Sequence, residues 1–189
     1  MSLIVKKINI IKTLLFFTIV CTSLSFASSS KAASLYFSPS SATYRIGETF
    51  QISLFVNSTD QAMNAAQSTI YFPTDKLSVI SVGTKNSIFS LMVETPTFSN
   101  QSGNAGFSGI VLNPGYTGKS GRLVTINFAA KALGKATISI GASQVLANDG
   151  VGTNILTGRG SATINIIEKA KVEPKPEVKP EVKPTTTPK

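Results

Sequence analysis

Through the middle of the chain, apolar side chains recur at every second position. Phe50, Ile52, Leu54 and Val56 alternate with Gln51, Ser53 and Phe55, and Val124, Ile126, Phe128 and Ala130 repeat the pattern. Ala136, Ile138 and Ile140 do so again, as do Ala162, Ile164 and Ile166. A period of two sends alternate side chains to opposite faces of an extended chain, so each run predicts a strand with one buried face. No stretch of three helical turns carries an apolar stripe at helical spacing. Turn-forming clusters divide the runs: Arg45-Ile46-Gly47-Glu48, Pro73-Thr74-Asp75, Gln101-Ser102-Gly103-Asn104, Gly118-Lys119-Ser120-Gly121, Leu133-Gly134-Lys135 and Asn148-Asp149-Gly150. The spacing predicts nine strands, near residues 35–38, 49–57, 64–72, 77–83, 88–98, 104–112, 121–131, 135–147 and 161–167. Short strands with no helix to cover a sheet predict two sheets packed face to face.

The ends of the chain do not continue this pattern. Lys6, Lys7 and Lys12 precede an apolar run from Leu14 to Leu24, and Ser25-Phe26-Ala27 follows with small residues at the spacing a signal peptidase accepts. Residues 1–33 therefore read as a secretory signal peptide with a short leader, which places the protein outside the cell or at its surface. The run is short of the roughly 20 apolar residues that a membrane-crossing helix needs. The one cysteine, Cys21, falls inside the signal, so the mature chain is expected to hold no disulfide and no thiol nucleophile. Residues 169–189 repeat PEVKPEVKP and close on TTTPK. A proline every few residues predicts an extended linker, with any membrane attachment expected only through an anchor beyond it. Residues 34–168 are left as one domain, large enough to bury roughly two thirds of its unfolded surface and fold without a metal.

The formal net charge of +9 is concentrated at the two ends. Within 34–168, Arg45, Lys76, Lys85, Lys119, Arg122, Lys131, Lys135 and Arg159 are scattered among six acids. No basic stripe can track a phosphate backbone, which sets nucleic acid aside. Acid–base or metal chemistry is equally short of parts: there is no histidine, and the domain acids are Glu48, Asp60, Asp75, Glu94, Asp149 and Glu168. Glu48 and Asp75 fall in turn sequences, which leaves Glu94, on LMVETPTF, as the carboxylate in an interesting place. The domain is therefore expected to be non-catalytic and to need no cofactor. The loop ANDGVGTNIL offers Asn148, Asp149 and Asn154 as oxygen ligands for calcium; a plain Asn/Asp/Gly turn explains the same residues. A polysaccharide-binding strip is disfavoured by the absence of tryptophan, although Tyr71 and Tyr116 are candidates for ligand contact.

Four stretches, taken in order, resemble the cohesin domain: LYFSPSSATYRIGETFQISLFVN, MNAAQSTIYFPTDKLSVISV, VETPTFSNQSGNAGFSGIVLNPGYTGKSGRLVTINFAAKALGKATISI and VLANDGVGTNIL. The likeness covers residues 34–168 and is most specific at SGRLVTINFAAKALGKATISI. It implies an all-β, nine-stranded jelly-roll β-sandwich that binds a calcium-loaded dockerin module through one sheet. That sheet would be formed by the segments 64–72, 88–98, 104–112 and 135–147. Alternation in the first of these sends Ala66, Ser68, Ile70 and Phe72 inward and leaves Ala65, Gln67, Thr69 and Tyr71 outward. These four, with Tyr116, are the expected partner-binding residues. The chain departs from the family's Tyr/Phe-Asp-Pro turn with Phe72-Pro73-Thr74-Asp75, which displaces the aspartate. The expected partner is a dockerin-like module, with polysaccharide the alternative and a structural or adhesive surface role the third reading.

Overall fold

The computed structural model describes residues 32–169; the expected signal peptide and almost all of the expected linker lie outside them. Ten strands form two layers: β1 (Ala33–Ser38), β2 (Ser41–Arg45), β3 (Thr49–Tyr71), β4 (Leu77–Gly83), β5 (Leu91–Ser99), β6 (Asn104–Ile110), β7 (Tyr116–Ala130), β8 (Gly134–Ala147), β9 (Leu156–Arg159) and β10 (Ser161–Ile167). Among the described residues there is no helix. The fold class is the expected one, and ten strands replace nine for two reasons. The runs at 49–57 and 64–72 are halves of one strand, β3, which is 23 residues long. Two short strands, β2 and β9, go unannounced in the sequence because each is paired with a single neighbour and carries few apolar residues.

β3 belongs to both layers. Its first half pairs with β1 and β7, and β7 pairs with β4. Its second half pairs with β6 and β8; β5 flanks β6, and β10 flanks the first half of β8 with β2 outside it. The crossing lies at residues 58–63, where the register with β7 shifts and Thr59 and Asp60 stand in solvent. Inside the crossing, the Ser58 hydroxyl donates to the Gln61 carbonyl at 2.6 Å. A local bond of this kind satisfies a polar group where the ladder lapses.

The inward faces meet in one core. Ile52, Leu54, Val56 and Ile126 from one layer and Ile70, Ile138, Val145 and Ile164 from the other are fully buried. Aromatic rings bridge the layers: Phe72 meets Phe128 edge-on at 5.6 Å, and Tyr44 stacks on Phe50 at 4.1 Å. The predicted turn at Gly118-Lys119-Ser120-Gly121 is a bulge inside β7 instead. Gly118 pairs with Ser58 and Gly121 with Val56, so three steps of β7 oppose two of β3.

Candidate protein-docking face

The outer surface of β5, β6, β3 and β8 is the candidate site, and strand register sorts its side chains into rows. Leu91 stands opposite Ile110, Ile110 opposite Ala65, and Ala65 opposite Leu146. The next row is Glu94, Ser108, Gln67 and Gln144. Thr97, Gly106 and Thr69 follow, and the last row is Ser99, Asn104, Tyr71 and Ser139. The first row makes one end of the face apolar, and Leu91 and Val93 there are 59% and 60% exposed. Removing such side chains from water drives association, so an uncovered row of them is the part of the face with most to gain from a partner.

The middle of the face is polar and sunken. A trough of ≈ 490 Å³ runs across all four strands, from Glu94 on β5, past Ser108, Gly106, Gln67 and Thr69, to Ala142 and Gln144 on β8 and Arg159 on β9. The Gln67 amide donates to Gln144 Oε1 at 3.1 Å, which ties β3 to β8 across the face. Beneath them the buried hydroxyls of Ser68 and Ser143 share a 2.8 Å hydrogen bond. At the far end Tyr71, 46% exposed, lies over Gly141, where a Cβ would come within 2.3 Å of its ring. A glycine under an aromatic ring lets that ring lie against the sheet.

Ala65, Gln67, Thr69 and Tyr71 therefore share one face, while Tyr116 is elsewhere. The Tyr116 ring is packed over Gly118 and Gly121 against the core, and its hydroxyl accepts the Ser120 N–H at 3.2 Å. It shapes the β7 bulge, and the glycines that invite it were the same ones that suggested a turn.

The loop residues offered for calcium are each engaged in bonds of their own. Asn148 donates to the Pro114 carbonyl at 2.8 Å, and Asn154 Oδ1 accepts the N–H groups of Val145 and Leu156 at 3.3 and 3.2 Å. Asp149 Oδ1 accepts the N–H groups of Val151 and Gly152 at 3.1 and 2.9 Å. Hydrogen bonding from Thr153, joined by these backbone donors, lowers the Asp149 carboxyl to about 2. The three side chains are engaged in capping the turn, and among the described residues no three His, Cys, Asp or Glu gather in a cluster.

Three contributors to the face escaped sequence reasoning: Gln144, Leu146 and Arg159. Gln144 and Leu146 have the same parity as Ala136, Ile138 and Ile140, which alternation assigns to the core. A register shift between Ser68 and Ile70 on the pairing with β8 inverts that parity beyond Gly141, so Ser143, Val145 and Ala147 turn inward and Gln144 and Leu146 outward. Arg159 belongs to β9, which pairs with β1 in the other layer, yet its guanidinium reaches the Ser143 carbonyl at 3.3 Å. Only the glycine at 141 gave a signal, since an isolated glycine in a strand marks a bulge or a close approach.

On the opposite outer surface several side chains pair with one another, although Ile80 on β4 stands 52% exposed. Tyr36 stacks on Phe55 at 5.6 Å, the Arg122 guanidinium lies over Phe55 at 5.4 Å, and Ser53 bonds Thr125 at 2.8 Å. The Tyr36 hydroxyl donates to Ser120 Oγ at 2.9 Å.

No protein-family model matches the chain, and no curated protein matches it by sequence. Solved structures do match. The sixth cohesin of scaffoldin B from Acetivibrio cellulolyticus, solved in complex with a dockerin, has a TM-score of 0.59 and 16% identity over 72% of this chain and 99% of that one. The chain has a cohesin-type fold. A non-cellulosomal cohesin from the archaeon Archaeoglobus fulgidus has a TM-score of 0.58 at 14% identity, covering 72% of this chain and 92% of its own. The cohesin module of a family 33 glycoside hydrolase from Clostridium perfringens has a TM-score of 0.56 at 15% identity, covering 67% and 91%. The cohesin fold is thus retained where few residues are shared, as expected when a period-two apolar pattern and turn chemistry specify the sandwich.

Proposed function

We propose that this domain is a secreted, non-catalytic docking module of the cohesin type, and that its partner is a dockerin-type protein module bound on the outer surface of β5, β6, β3 and β8. The observation that carries the reading is the uncovered face itself: an apolar row at Leu91, Ile110, Ala65 and Leu146 beside a polar trough. A face of four strands is of the order needed for a standard interface of about 800 Å² per partner. Solved complexes of a dockerin with a cohesin of this fold support the choice of partner. The signal-like N-terminus supports placement outside the cell, and the proline-rich tail supports a spacer role for the segment after the domain.

The test is direct binding of the full chain to a panel of dockerin modules, with calcium and then with chelator. Binding that chelator abolishes is expected, because the calcium belongs to the partner. Gln67, at the middle of the face, and Tyr71, its exposed aromatic ring, changed together to alanine should weaken it by about tenfold or more. Undiminished binding by that double variant places the interface on another surface. Retention on insoluble polysaccharide, competed by soluble oligosaccharide, marks the carbohydrate-binding alternative instead.

A further inference from the structure

The polar trough carries one full charge at each end and none between. Glu94 stands on its β5 rim and Arg159 on its β9 rim, and the lining between them is hydroxyl, amide, glycine, alanine and the edge of Phe107. Neither charge is spent within the domain: among the described residues the ion pair is Lys76 with Asp75, at 3.0 Å on another surface. From β5 to β8 the trough crosses three strand spacings, about 14 Å. At physiological salt that exceeds the screening length of about 8 Å, so the two groups neither neutralise one another nor act as a single dipole on a partner.

Arg159 reaches this position by a specific route. β9 is a short parallel partner of β1 in the opposite layer, and the Arg159 guanidinium donates to the Ser143 carbonyl on β8 at 3.3 Å. The bond holds the cation at the border of the sheet while its exposed part faces the trough. Glu94 lies between two register shifts in β5, between Met92 and Thr97, which set its carboxylate apart from regular alternation on that strand. Bulges commonly re-aim a side chain in this way.

From this arrangement we infer that Glu94 and Arg159 are a pair of charge anchors that fix how a partner helix lies across the face. The helix presents a cation to the β5 rim and an anion to the β9 rim, with uncharged polar side chains between. At a rise of 1.5 Å per residue the two charges stand about ten residues apart along the partner. The apolar row, displaced to one side of the trough, then supplies most of the burial, while the charges set orientation and reject helices of the wrong sign order. This rests on the docking reading above and adds to it the chemistry of the partner.

The experiment uses a display library of dockerin modules with randomised exposed helix positions, selected in calcium against four full-chain baits. These are the wild type, Glu94→Lys, Arg159→Glu and the double reversal. Both side chains are solvent-facing, and circular dichroism and melting of each bait confirm that it is folded. Binders of the wild type are expected to carry one basic and one acidic position about ten residues apart. Glu94→Lys should select acidic residues at both positions, Arg159→Glu basic residues at both, and the double reversal one of each again. A wild-type binder should lose about tenfold or more in affinity for either single reversal, with the loss shrinking at high salt. Binders enriched by all four baits without any change in charge overturn the anchors and leave the docking face standing. No enrichment by any bait over an unrelated β-sandwich removes the docking reading and the anchors with it.

Discussion

At the scale of single residues, Gly141 and Asp149 have the clearest consequences. Gly141 is where the Tyr71 ring rests, and a methyl group there would come within 2.3 Å of Cε2 and 2.9 Å of Cδ2. The ring is half-exposed and free to swing away, so Gly141→Ala should cost only about 1 kcal/mol of stability in urea unfolding. It should nevertheless weaken partner binding as Tyr71→Ala does, because the ring leaves the face; unchanged binding would remove Tyr71 from the interface. Asp149 acts through its loop. Its carboxyl is lowered from 3.8 to about 2 by hydrogen bonds from Thr153 and the backbone, so the folded loop favours the charged form. The resulting stability is present above the unfolded value and is lost as pH falls from about 3.8 towards 2. Melting followed from pH 5 to pH 2 should show a decline that Asp149→Asn flattens, and calcium should leave the wild-type curve where it is.

At the scale of elements, the strands that build the face are the irregular ones. β8 changes the parity of its inward positions at Gly141, and β5 shifts register twice around Glu94 and contains Pro96. β5 also has a single ladder partner, β6, which leaves it at the edge of its sheet. Proline without an N–H, bulges and a charge are the usual means by which an edge resists pairing with another chain. Pro96→Thr is expected to restore a continuous edge and produce a light-scattering mass that rises with concentration, where the wild type stays constant. An unchanged mass across the series would mean that the bulges alone protect the edge. The same irregularities limited what alternation could read. It correctly placed Ala65, Gln67, Thr69 and Tyr71 outward because β3 is regular from Ala65 to Tyr71, and on β8 it reached only Ile140, because the bulge beyond it inserts one residue and turns Gln144 and Leu146 outward.

At the scale of the molecule, β3 makes one cooperative unit of the two layers. A strand that contributes Ile52 and Leu54 to one layer and Ile70 to the other cannot leave either without opening the shared core. Unfolding is therefore expected to be a single transition, with tyrosine fluorescence and far-ultraviolet circular dichroism coinciding. Ile126, fully buried in the centre of β7 opposite Ile52, should cost about 3 kcal/mol when changed to alanine. That loss should move both signals together; separate midpoints would show that the layers unfold independently.

By itself the sequence determined the class of fold, the inward side of each regular strand and the scarcity of catalytic groups. Burial of apolar side chains at period two and the conformational needs of Gly, Pro and Asn are local properties that short stretches of chain express alone. Tertiary structure decided the rest. It fused two runs into β3, turned the glycine-rich segment of β7 into a bulge under Tyr116, capped the Asn148–Asn154 loop with its own amides, and carried Arg159 from β9 to the rim opposite Glu94. Each depends on which strands become neighbours and in what register. Those pairings join residues far apart in the chain, and no local pattern encodes them.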